Sequence, residues 1–396
     1  MDQVRQLLQS HPHWPVVEAI YHKLTGHGYK AFLAGGCVRD ALLGIMANDL
    51  DIATDATPDT IEKLFVKTIN VGKTFGVMRV VIEGADIEVA TFRNDGDYKD
   101  GRRPEHVVFS TPEEDAERRD FTVNALFYDL QRNQVLDYVN GRKDLEQRIL
   151  KTVGDPAKRF QEDQLRLLRG ARFAAQLGFT VVDETKFAMK QMAQAVLNVS
   201  GERIREEMSK LLKAKNVQAG LDVMDETNLM KVLFPWRAAH LVWRSYGATE
   251  AWQNLSLFLS TATANDLKQS LDLLKLSTKE RRGIEDACGL WENAETFMKL
   301  RRGEQLQQLQ KPGKEWALDV LSKKGQFVSE IKTVMEDKHS WGPVLPKPFL
   351  NGEDLRGQLA GEAIGQCLQE ALRLQLERQL QSREEALLWL KKYLKD

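Results

Sequence analysis

Asp49 and Asp51 stand one residue apart in the stretch DLDIAT, whose apolar pattern predicts a strand. Side chains two residues apart on a strand point to the same face, so two carboxylates there repel each other unless a cation lies between them. Proteins hold Mg²⁺ through one or two carboxylates together with substrate phosphates. The spacing therefore indicates a magnesium site, although the exposed face of an edge strand has the same pattern.

Two glycines and an arginine precede this pair. Gly35 and Gly36 join the predicted strand YKAFLAGG to the predicted helix VRDALLG, where the backbone can approach a ligand closely and free N–H groups can bind an anion. Arg39 would add a forked donor for phosphate oxygens. A tight turn and a solvated arginine are the alternatives, but a phosphate site beside paired carboxylates is typical of nucleotide phosphoryl chemistry.

A third carboxylate could hold a second metal ion. The stretch FGVMRVVIEGADIEVATFR is predicted to be a hairpin that turns at Glu83–Gly84, and its second strand carries Asp86 and Glu88 on one face. We favour Glu88, because apolar residues flank it on both sides and place it nearer the centre of the sheet. An exposed edge glutamate fits equally well, since one sequence does not fix the register that would bring Glu88 beside Asp51.

Three segments of the chain, in this order, resemble the successive motifs of a known family. They are GGCVRDALLG…NDLDIAT, then RRDFTVNAL at 118–126, and then EDQLRLLRGARFAAQLGF at 162–179. The family is that of the class II tRNA nucleotidyltransferases and their close relatives, the bacterial poly(A) polymerases, in the polymerase-β nucleotidyltransferase superfamily. The resemblance covers roughly residues 32–212, about half of the chain.

The resemblance implies a role for each motif. Asp49 and Asp51 would hold two catalytic Mg²⁺ ions, one of which activates the 3′-hydroxyl of an RNA, and we keep Glu88 as the further catalytic carboxylate. Asp120 would lie near the ribose hydroxyls, where a carboxylate can favour ribonucleotides. The nucleotide-binding residues would be Gly35, Gly36, Arg39, Arg119, Asp120, Asn124, Glu162, Asp163, Arg166 and Arg169.

The spacing of apolar residues in EDQLRLLRGARF predicts one helix. Glu162 and Arg166 share a face, which by itself indicates an exposed ion pair worth about 0.3–0.5 kcal/mol. The resemblance implies instead that Asp163 and Arg166 offer the base an acceptor and a donor, while Glu162 orients Arg166. Cytosine and adenine carry an amine where uracil and guanine carry a carbonyl, so this edge could select C and A without a template. Arg169 and Arg172 are expected to form salt bridges beside the core.

Three kinds of enzyme share this head: CCA-adding enzymes, partial enzymes that add only CC or only A, and poly(A) polymerases. Residues 71–82 resemble the CCA type, and residues 92–109 resemble the flexible loop that CCA-adding and A-adding enzymes keep. We therefore expect addition of CCA to the tRNA 3′ end from CTP and ATP, with no membrane and no obligate protein partner. A poly(A) polymerase or an A-adding enzyme is the alternative, and a catalytically silent RNA-binding protein of the same fold is the alternative of another class.

The pattern predicts an α+β fold, with a small mixed-sheet head followed by a long all-helical neck, body and tail. Helical spacing begins with RKDLEQRILKTV and continues through most of the later chain. Residues 311–313 and the proline-rich WGPVLPKPF are the linker candidates. The predicted domains are a catalytic head at 1–140, a neck with the nucleotide-selecting helix at 141–212, a body at 213–345 and a tRNA-binding tail at 346–396.

The charge balance requires a local site for any nucleic acid. The chain has 396 residues and a formal net charge of −1, so an RNA must bind a basic patch rather than a basic protein. The alternative for basic residues in the predicted body is a solvated helix face. Those expected to grip the tRNA phosphates are Lys279, Arg281, Arg282, Arg301 and Arg302.

The three cysteines and the apolar runs indicate the compartment. Cys37, Cys288 and Cys367 lie too far apart for a metal-ligand spacing or a disulfide framework, which favours a reducing compartment. No run approaches 18 apolar residues, and the N-terminus has no signal-peptide core. We expect a soluble, cytoplasmic protein.

Overall fold

The computed structural model describes residues 2–95, 107–237, 242–342 and 344–395. The chain divides into two compact units, Met1–Trp243 and Arg244–Asp396. The first unit combines a mixed sheet with helices, and the second is built from helices within its described part. This arrangement confirms the α+β fold, whereas the finer division into head, neck, body and tail stays a prediction.

Strands and helices alternate in the first part of the first unit, and helices predominate afterwards. The strands are β1 (Ala31–Ala34), β2 (Ile52–Thr54), β3 (Thr68–Gly72), β4 (Val77–Ile82), β5 (Ala85–Thr91), β6 (Arg93–Asp95), β7 (Val107–Phe109), β8 (Leu126–Asp129), β9 (Gln134–Asp137), β10 (Ile149–Leu150) and β11 (Thr180–Val181). The helices are α1 (Asp2–Gln9), α2 (Trp14–Gly26), α3 (Gly36–Leu42), α4 (Pro58–Leu64), α5 (Pro112–Glu117), α6 (Gly141–Glu146), α7 (Pro156–Glu162), α8 (Leu165–Leu177), α9 (Asp183–Gln191), α10 (Gly201–Leu212), α11 (Val217–Glu226) and α12 (Leu229–Leu233). Short 3₁₀ turns cover Lys73–Phe75, Thr122–Asn124 and Ala193–Asn198.

A seven-stranded sheet, in the order β3-β4-β5-β2-β1-β8-β9, frames the first unit. β2 runs antiparallel to β1 but parallel to β5. β1, β2 and β8 are buried along their whole length, as expected for central strands. Apolar clusters pack on both faces, one including Ile20 and Leu33 and the other Phe32 and Phe127. The packed core thus holds the strand ends from which the site residues extend.

Two local elements follow the predictions from residue types. Thr57 caps α4 by accepting a hydrogen bond from the N–H of Thr60, and Pro58 is the first helical residue. The β4–β5 hairpin turns at Glu83 and Gly84, whose φ angles are 51° and 85°. Two consecutive left-handed residues are what a two-residue hairpin turn with strand-matching twist requires.

Three elements differ from the predictions. β2 begins at Ile52, so Asp49 and Asp51 lie on the segment just before the strand rather than within it. RKDLEQRILKTV is helical only in α6, because its later part forms β10, which pairs in parallel with β11. The predicted single helix breaks at Asp163, between α7 and α8. The break is stabilised where the Asp163 carboxylate accepts a hydrogen bond from the N–H of Leu165 at 3.1 Å.

The second unit is described by itself. Pro312 is the first residue of α18, and Gly313 packs so closely against the carbonyl of Gly283 that a Cβ would not fit. The linker prediction at 311–313 was therefore wrong. The helices of this unit are α13 (Ala251–Leu259), α14 (Ala264–Leu274), α15 (Thr278–Glu292), α16 (Ala294–Lys299), α17 (Arg302–Gln308), α18 (Pro312–Lys323), α19 (Val328–Ser340), α20 (Glu362–Leu376) and α21 (Arg383–Tyr393).

The state of the cysteines and the lengths of the helices can be read from the structure. Cys37, Cys288 and Cys367 are all free thiols. Burial raises the pKa of the Cys37 thiol, with a contribution from the charge of Asp51, to about 12. Such a thiol is not a nucleophile at neutral pH. Within the described ranges, no helix is both long and apolar enough to cross a lipid bilayer.

Candidate active site

The residues predicted to act together meet in one cleft of about 670 Å³ in the first unit. Glu162 is the exception, because it does not line the cleft and instead contacts Arg166 from α7. The carboxylates and the base-reading residues therefore face one space. The predicted residues that line it are Gly35, Gly36, Arg39, Asp49, Asp51, Glu88, Arg119, Asp120, Asn124, Asp163, Arg166 and Arg169.

The register of β2 and β5 places a third carboxylate beside the aspartate pair. Ile52 lies opposite Val89 on these parallel strands, so one residue earlier Asp51 comes next to Glu88. Glu88 lines the cleft together with both aspartates. The other candidate, Asp86, does not line the cleft and instead contacts an arginine of β4. The tertiary pairing, which the sequence left open, thus favours Glu88.

Burial and repulsion between neighbouring carboxylates perturb the pKa values of Asp51 and Glu88. Burial, followed by the charges of Glu88 and Asp49, raises the pKa of Asp51 from 3.8 to about 7. Burial also raises the pKa of Glu88, although Arg79 and Arg119 oppose that shift. A bound cation would remove the repulsion and favour the ionised forms. Perturbation of this kind is typical of a functional site.

The chemistry of the carboxylates fits a divalent cation. Within the described residues, no side chain forms an ion pair with Asp49, Asp51 or Glu88 or donates a hydrogen bond to them. In the part of the chain that the structure describes, no three or more His, Cys, Asp or Glu side chains are already grouped so that they could hold a metal ion by themselves. Mg²⁺ takes few protein ligands and completes its shell with water and substrate phosphates. The paired aspartates are therefore a suitable donor set that leaves room for those further ligands.

The turn at Gly35 requires glycine. Its φ of 73° lies in the left-handed region, and its N–H donates to the carbonyl oxygen of Leu126 at 2.9 Å. A Cβ at this position would lie 2.9 Å from Nη1 of Arg119. A side chain here would therefore strain the turn and displace Arg119 from the cleft wall. Gly36 is less restricted, because the nearest atom to a Cβ added there belongs to Arg39, at 3.7 Å.

A chain of hydrogen bonds joins Arg39 to Arg169 across the cleft wall. Arg39 is buried and donates from Nη1 to Oδ1 of Asn124 at 2.5 Å. Nδ2 of Asn124 donates to Oδ1 of Asp120 at 3.1 Å, and Nε of Arg169 donates to Oδ2 of Asp120 at 2.7 Å. Side chains from α3, from the 3₁₀ turn and from α8 thus hold one another in place.

Protein groups already occupy both carboxylate oxygens of Asp120. Its Oδ1 also accepts a hydrogen bond from the N–H of Phe121 at 2.7 Å. Burial opposes its ionisation, but the charges of Arg169 and Arg166 hold the pKa of Asp120 well below its usual range. Asp120 is therefore a permanent anion. A contact to a ribose hydroxyl stays a prediction and would add to these bonds.

Asp163 and Arg166 are held by different neighbours. Nη1 of Arg166 donates to Oε2 of Glu162 at 2.7 Å, and Nη2 donates to the carbonyl oxygen of Arg118 at 2.9 Å. An ion pair between Glu162 and Arg166 is thus present, but it is largely buried and joins α7 to α8, unlike the exposed pair on one helix that was the alternative. Nη2 of Arg203, from α10, donates to both oxygens of Asp163, at 2.9 and 3.2 Å. Both side chains are therefore oriented within the protein itself.

The cleft also contains basic residues to which the sequence assigned no nucleotide role. Arg172 forms the expected salt bridge, with Glu207 of α10 at 2.5 Å. Arg203, Glu207 and Lys210 recur at a spacing of four and three residues, which places them on one face of α10. This spacing in the sequence is the signal that could have predicted the contribution of α10 to the cleft. The additional basic lining residues are Arg93, Arg118, Arg172, Arg203 and Lys210.

The loop predicted at 92–109 is described only at its two ends. β6 and β7 pair antiparallel, with Arg93 opposite Phe109. Residues 96–106, the centre of the predicted flexible loop, lie outside the described residues. β6 and β7 thus form a short antiparallel pair, which we call the hairpin stem. Its first residue, Arg93, lines the cleft.

The basic residues predicted to grip RNA lie in the second unit. Arg281 of α15 forms ion pairs with Asp272 and Glu285, and Arg302 of α17 pairs with Asp337. These pairs reduce the charge that both arginines offer to a polyanion. Contact with RNA stays a prediction for all five residues. The remaining three, which are exposed, are Lys279, Arg282 and Arg301.

Family models match both parts of the first unit. Residues 31–151 match the model described as the poly A polymerase head domain. Residues 178–241 match the model described as the probable RNA and SrmB-binding site of polymerase A. The first model includes the sheet strands and the carboxylates, and the second includes α10 with Arg203.

Curated relatives of the chain are CCA-adding enzymes. The chain is 47% identical over 215 residues to the enzyme of Bacillus pumilus (strain SAFR-032), an alignment of 54% of each chain. It is 41% identical over 267 residues to the enzyme of Geobacillus kaustophilus (strain HTA426), an alignment of 66% of each chain. The chain thus spans between about half and about two thirds of the length of these relatives.

Solved structures of CCA-adding enzymes share the fold over a greater length. The crystal structure of the Bacillus stearothermophilus enzyme in complex with CTP matches with a TM-score of 0.76 and 29% identity, over 97% of this chain and 98% of that one. The Thermotoga maritima enzyme complexed with tRNA matches with a TM-score of 0.65 and 22% identity, over 99% of this chain and 98% of that one. At the lower identity the likeness shows the fold alone.

Proposed function

Because the chain belongs to the family of class II tRNA nucleotidyltransferases and bacterial poly(A) polymerases, we propose that it adds CCA to tRNA 3′ ends from CTP and ATP. The observation that carries this proposal is one cleft that holds three carboxylates, Asp49, Asp51 and Glu88, and a donor–acceptor pair, Arg166 and Asp163. The similarity to a CCA-adding enzyme crystallised with CTP supports it. The partners would be tRNA, CTP and ATP, and the setting would be the cytoplasm.

Enzymes of this family generally use divalent metal ions. We assign the ligands of two Mg²⁺ ions to Asp49 and Asp51, with Glu88 as the neighbouring carboxylate. Bound there, the metal would activate the RNA 3′-hydroxyl for in-line attack and stabilise the charge on the departing pyrophosphate. The two aspartates are ready for this role, because protein cations do not neutralise them within the described residues.

The arginines of the cleft would bind the triphosphate. Arg39 and Arg119 line the cleft beside the Gly35–Gly36 turn. Carboxylates hold the Nε and Nη2 side of each guanidinium, Asp40 for Arg39 and Asp115 for Arg119, so the remaining N–H groups would donate to phosphate oxygens. Asn124 contacts both arginines, through its side chain and its carbonyl oxygen. Because these guanidinium groups are already oriented, little side-chain entropy is lost when a nucleotide binds.

Asp163 and Arg166 would choose the base. The Asp163 carboxylate can accept a hydrogen bond from the amine of cytosine or adenine, and Arg166 can donate to a ring nitrogen of either base. Uracil and guanine would instead place a carbonyl oxygen against the Asp163 carboxylate, which repels it. The orientation of these two side chains by Arg203 and Glu162 supports their use as a fixed template.

An incorporation assay tests the activity and separates the alternatives. Purified protein is incubated with Mg²⁺, a single labelled nucleotide and a tRNA that lacks CCA or ends in CC. We expect C on the first tRNA, A on the second, and neither U nor G on either. Addition to the CC-ending tRNA alone would indicate an A-adding enzyme, and long A tracts would indicate a poly(A) polymerase. RNA binding without any incorporation would indicate the catalytically silent alternative.

Metal affinity is expected to fall as the pH decreases through about 7. Asp51, whose pKa is raised to about 7, must lose its proton before it can bind a cation. Below that pH, each unit should weaken the apparent affinity by up to about tenfold. Calorimetric titration of Mg²⁺ in the presence of CTP measures this dependence. The variant Asp51→Asn provides the comparison, and a wild-type affinity that does not change between about pH 6 and about pH 8 would contradict the Asp51 assignment.

A further inference from the structure

Asp115 of α5 is a buried carboxylate that does not line the cleft. Its Oδ1 accepts hydrogen bonds from Nε and Nη2 of Arg118, at 2.9 and 2.6 Å. Its Oδ2 accepts from Nε and Nη2 of Arg119, at 3.1 and 3.0 Å. One carboxylate thus sets the direction of two guanidinium groups that do line the cleft. Charge-assisted pairs of this forked kind are stronger and more directional than neutral hydrogen bonds.

Arg119 depends on this carboxylate for its position. Its remaining terminal nitrogen, Nη1, donates to the carbonyl oxygen of Asn124 at 3.2 Å and lies against the Gly35 turn. Its guanidinium also lies over the ring of Phe127, with 5.0 Å between Cζ and the ring centroid. Without Asp115, the guanidinium would keep, among the described residues, one neutral hydrogen bond and a ring contact, beside the like charge of Arg118.

Asp115 also joins these arginines to the hairpin stem. The N–H of Arg93, the first residue of β6, donates to Oδ1 of Asp115 at 3.3 Å. Nε of Arg118 donates to the carbonyl oxygen of Arg93 at 3.0 Å. Burial opposes ionisation, but the charges of Arg119 and Arg118 hold the pKa of Asp115 below its usual range. The carboxylate is therefore ionised across the physiological range and connects three cleft-lining residues.

We propose that Asp115 is a positioning residue for the nucleotide triphosphate, acting through Arg118 and Arg119. This inference rests on the proposed function, because it assumes that the cleft binds a nucleoside triphosphate. CTP and ATP carry the same triphosphate, so loss of Asp115 should weaken both to the same extent. An effect on the base-reading residues would instead change the two affinities unequally.

Asp129 at the end of β8 offers a matched control in the same unit. It is buried like Asp115 and forms an ion pair with an arginine three residues later, at 3.2 Å. Its partner Arg132 is exposed, and neither residue lines the cleft. Asp129→Asn therefore removes a comparable buried charge but leaves the contacts of Arg118 and Arg119 unchanged.

The test measures dissociation constants of CTP and ATP, steady-state KM and kcat, and the melting temperature. We expect Asp115→Asn to weaken both nucleotides by about 10- to 100-fold, the usual effect of losing hydrogen bonds to a charged group. KM should rise in the same proportion for CTP and ATP, while kcat at saturation and tRNA affinity change less than about threefold. Asp129→Asn should leave nucleotide affinity unchanged. Unchanged CTP and ATP affinity in Asp115→Asn, with a melting temperature lowered as in the control, would overturn the inference.

A double-mutant cycle separates action through Arg119 from a general electrostatic effect. In an Arg119→Gln background, Asp115→Asn should weaken CTP less than it does in the wild-type background, because one of its two arginine partners is already lost. Fully additive losses would overturn the inference. If Asp115→Asn fails to fold, Asp115→Glu keeps the charge but displaces both guanidinium groups. It should still weaken both nucleotides equally, and wild-type affinity in that variant would contradict the proposal.

The proposed function and this inference fail in different ways. A wild-type protein that binds neither CTP nor ATP would overturn the proposed function and the inference with it. A wild-type protein that binds both, with an Asp115→Asn variant of equal affinity, would overturn the inference alone.

Discussion

Asp51→Asn is expected to abolish nucleotide incorporation, with a loss of ~10³-fold or more in kcat, while tRNA binding stays nearly intact. The substitution removes one of the two anionic ligands assigned to the catalytic metal but keeps the shape of the side chain. Asp49→Ala should have the same effect. Single-turnover incorporation of labelled C into a tRNA that lacks CCA measures the loss, and a filter-binding assay measures tRNA affinity.

The same variant should stabilise the protein when divalent cations are absent. The folded protein keeps the Asp51 proton up to a pH of about 7, whereas the unfolded chain releases it near 3.8. The contribution of Asp51 to the free energy of unfolding therefore falls as the pH rises from about 4 to about 7 and is then constant. This loss amounts to at most ~4 kcal/mol, at about 1.36 kcal/mol per pH unit. Asp51→Asn should recover part of it, as a higher melting temperature in EDTA above neutral pH.

Asp86 provides the control for both measurements. It lies two residues before Glu88 on β5, forms an ion pair with Arg79 at 2.6 Å and does not line the cleft. Asp86→Asn should retain incorporation within about twofold, because an exposed ion pair contributes little. Wild-type incorporation by Asp51→Asn would contradict the metal assignment, and so would an equal loss in Asp86→Asn.

Asp163→Asn is expected to relax the choice of C and A over U and G by about 10- to 100-fold. The amide retains the shape of the carboxylate but offers a donor as well as an acceptor, so a base carbonyl would no longer be repelled. Arg166→Ala should relax selectivity as well, because it removes the donor. Competition between labelled nucleotides for one tRNA acceptor measures the ratio directly.

The matched control for this prediction is Asp183→Ala. Asp183 begins α9, and its side chain is fully exposed with only a long contact to Lys186. Selectivity should be unchanged in this variant. If Asp163→Asn and Arg166→Ala also retained wild-type discrimination among the four nucleotides, the protein edge would not act as a template.

The helix cap and the hairpin turn could be predicted from the sequence, because residues next to each other in the chain determine them. Thr57 caps α4 because its hydroxyl can reach an N–H three residues later, and Glu83–Gly84 turns because glycine accepts a positive φ. Almost all of the residues that the resemblance assigned to the nucleotide site line one cleft. They do so because the motifs lie on strand ends and helices that pack around the same core. Glu162 does not line the cleft, and its carboxylate contacts Arg166, the residue that it was expected to orient.

Contacts between distant residues were beyond the local pattern. The residues around Asp163 favour a continuous helix, whereas the Asp163 carboxylate at the break accepts a local bond from the N–H of Leu165 and a tertiary bond from Arg203, forty residues away in sequence. β10 and β11 contain only two residues each, too few for any periodic signal, and α7 and α8 separate them in sequence. The link from Asp115 to Arg118 and Arg119 spans only three and four residues, but its burial was not predicted, because a charge run on a helix end is usually solvated.

The proposed activity requires that Asp49 and Asp51 hold the metal at which nucleotide and RNA meet. A crystal structure with CTP and Mn²⁺, with anomalous scattering to locate the metal, would show whether they do. We predict a Mn²⁺ peak in contact with the carboxylates of Asp49 and Asp51 and with the phosphates of CTP. A nucleotide bound in the cleft with the metal elsewhere, and with both aspartates turned away from it, would contradict the proposed mechanism.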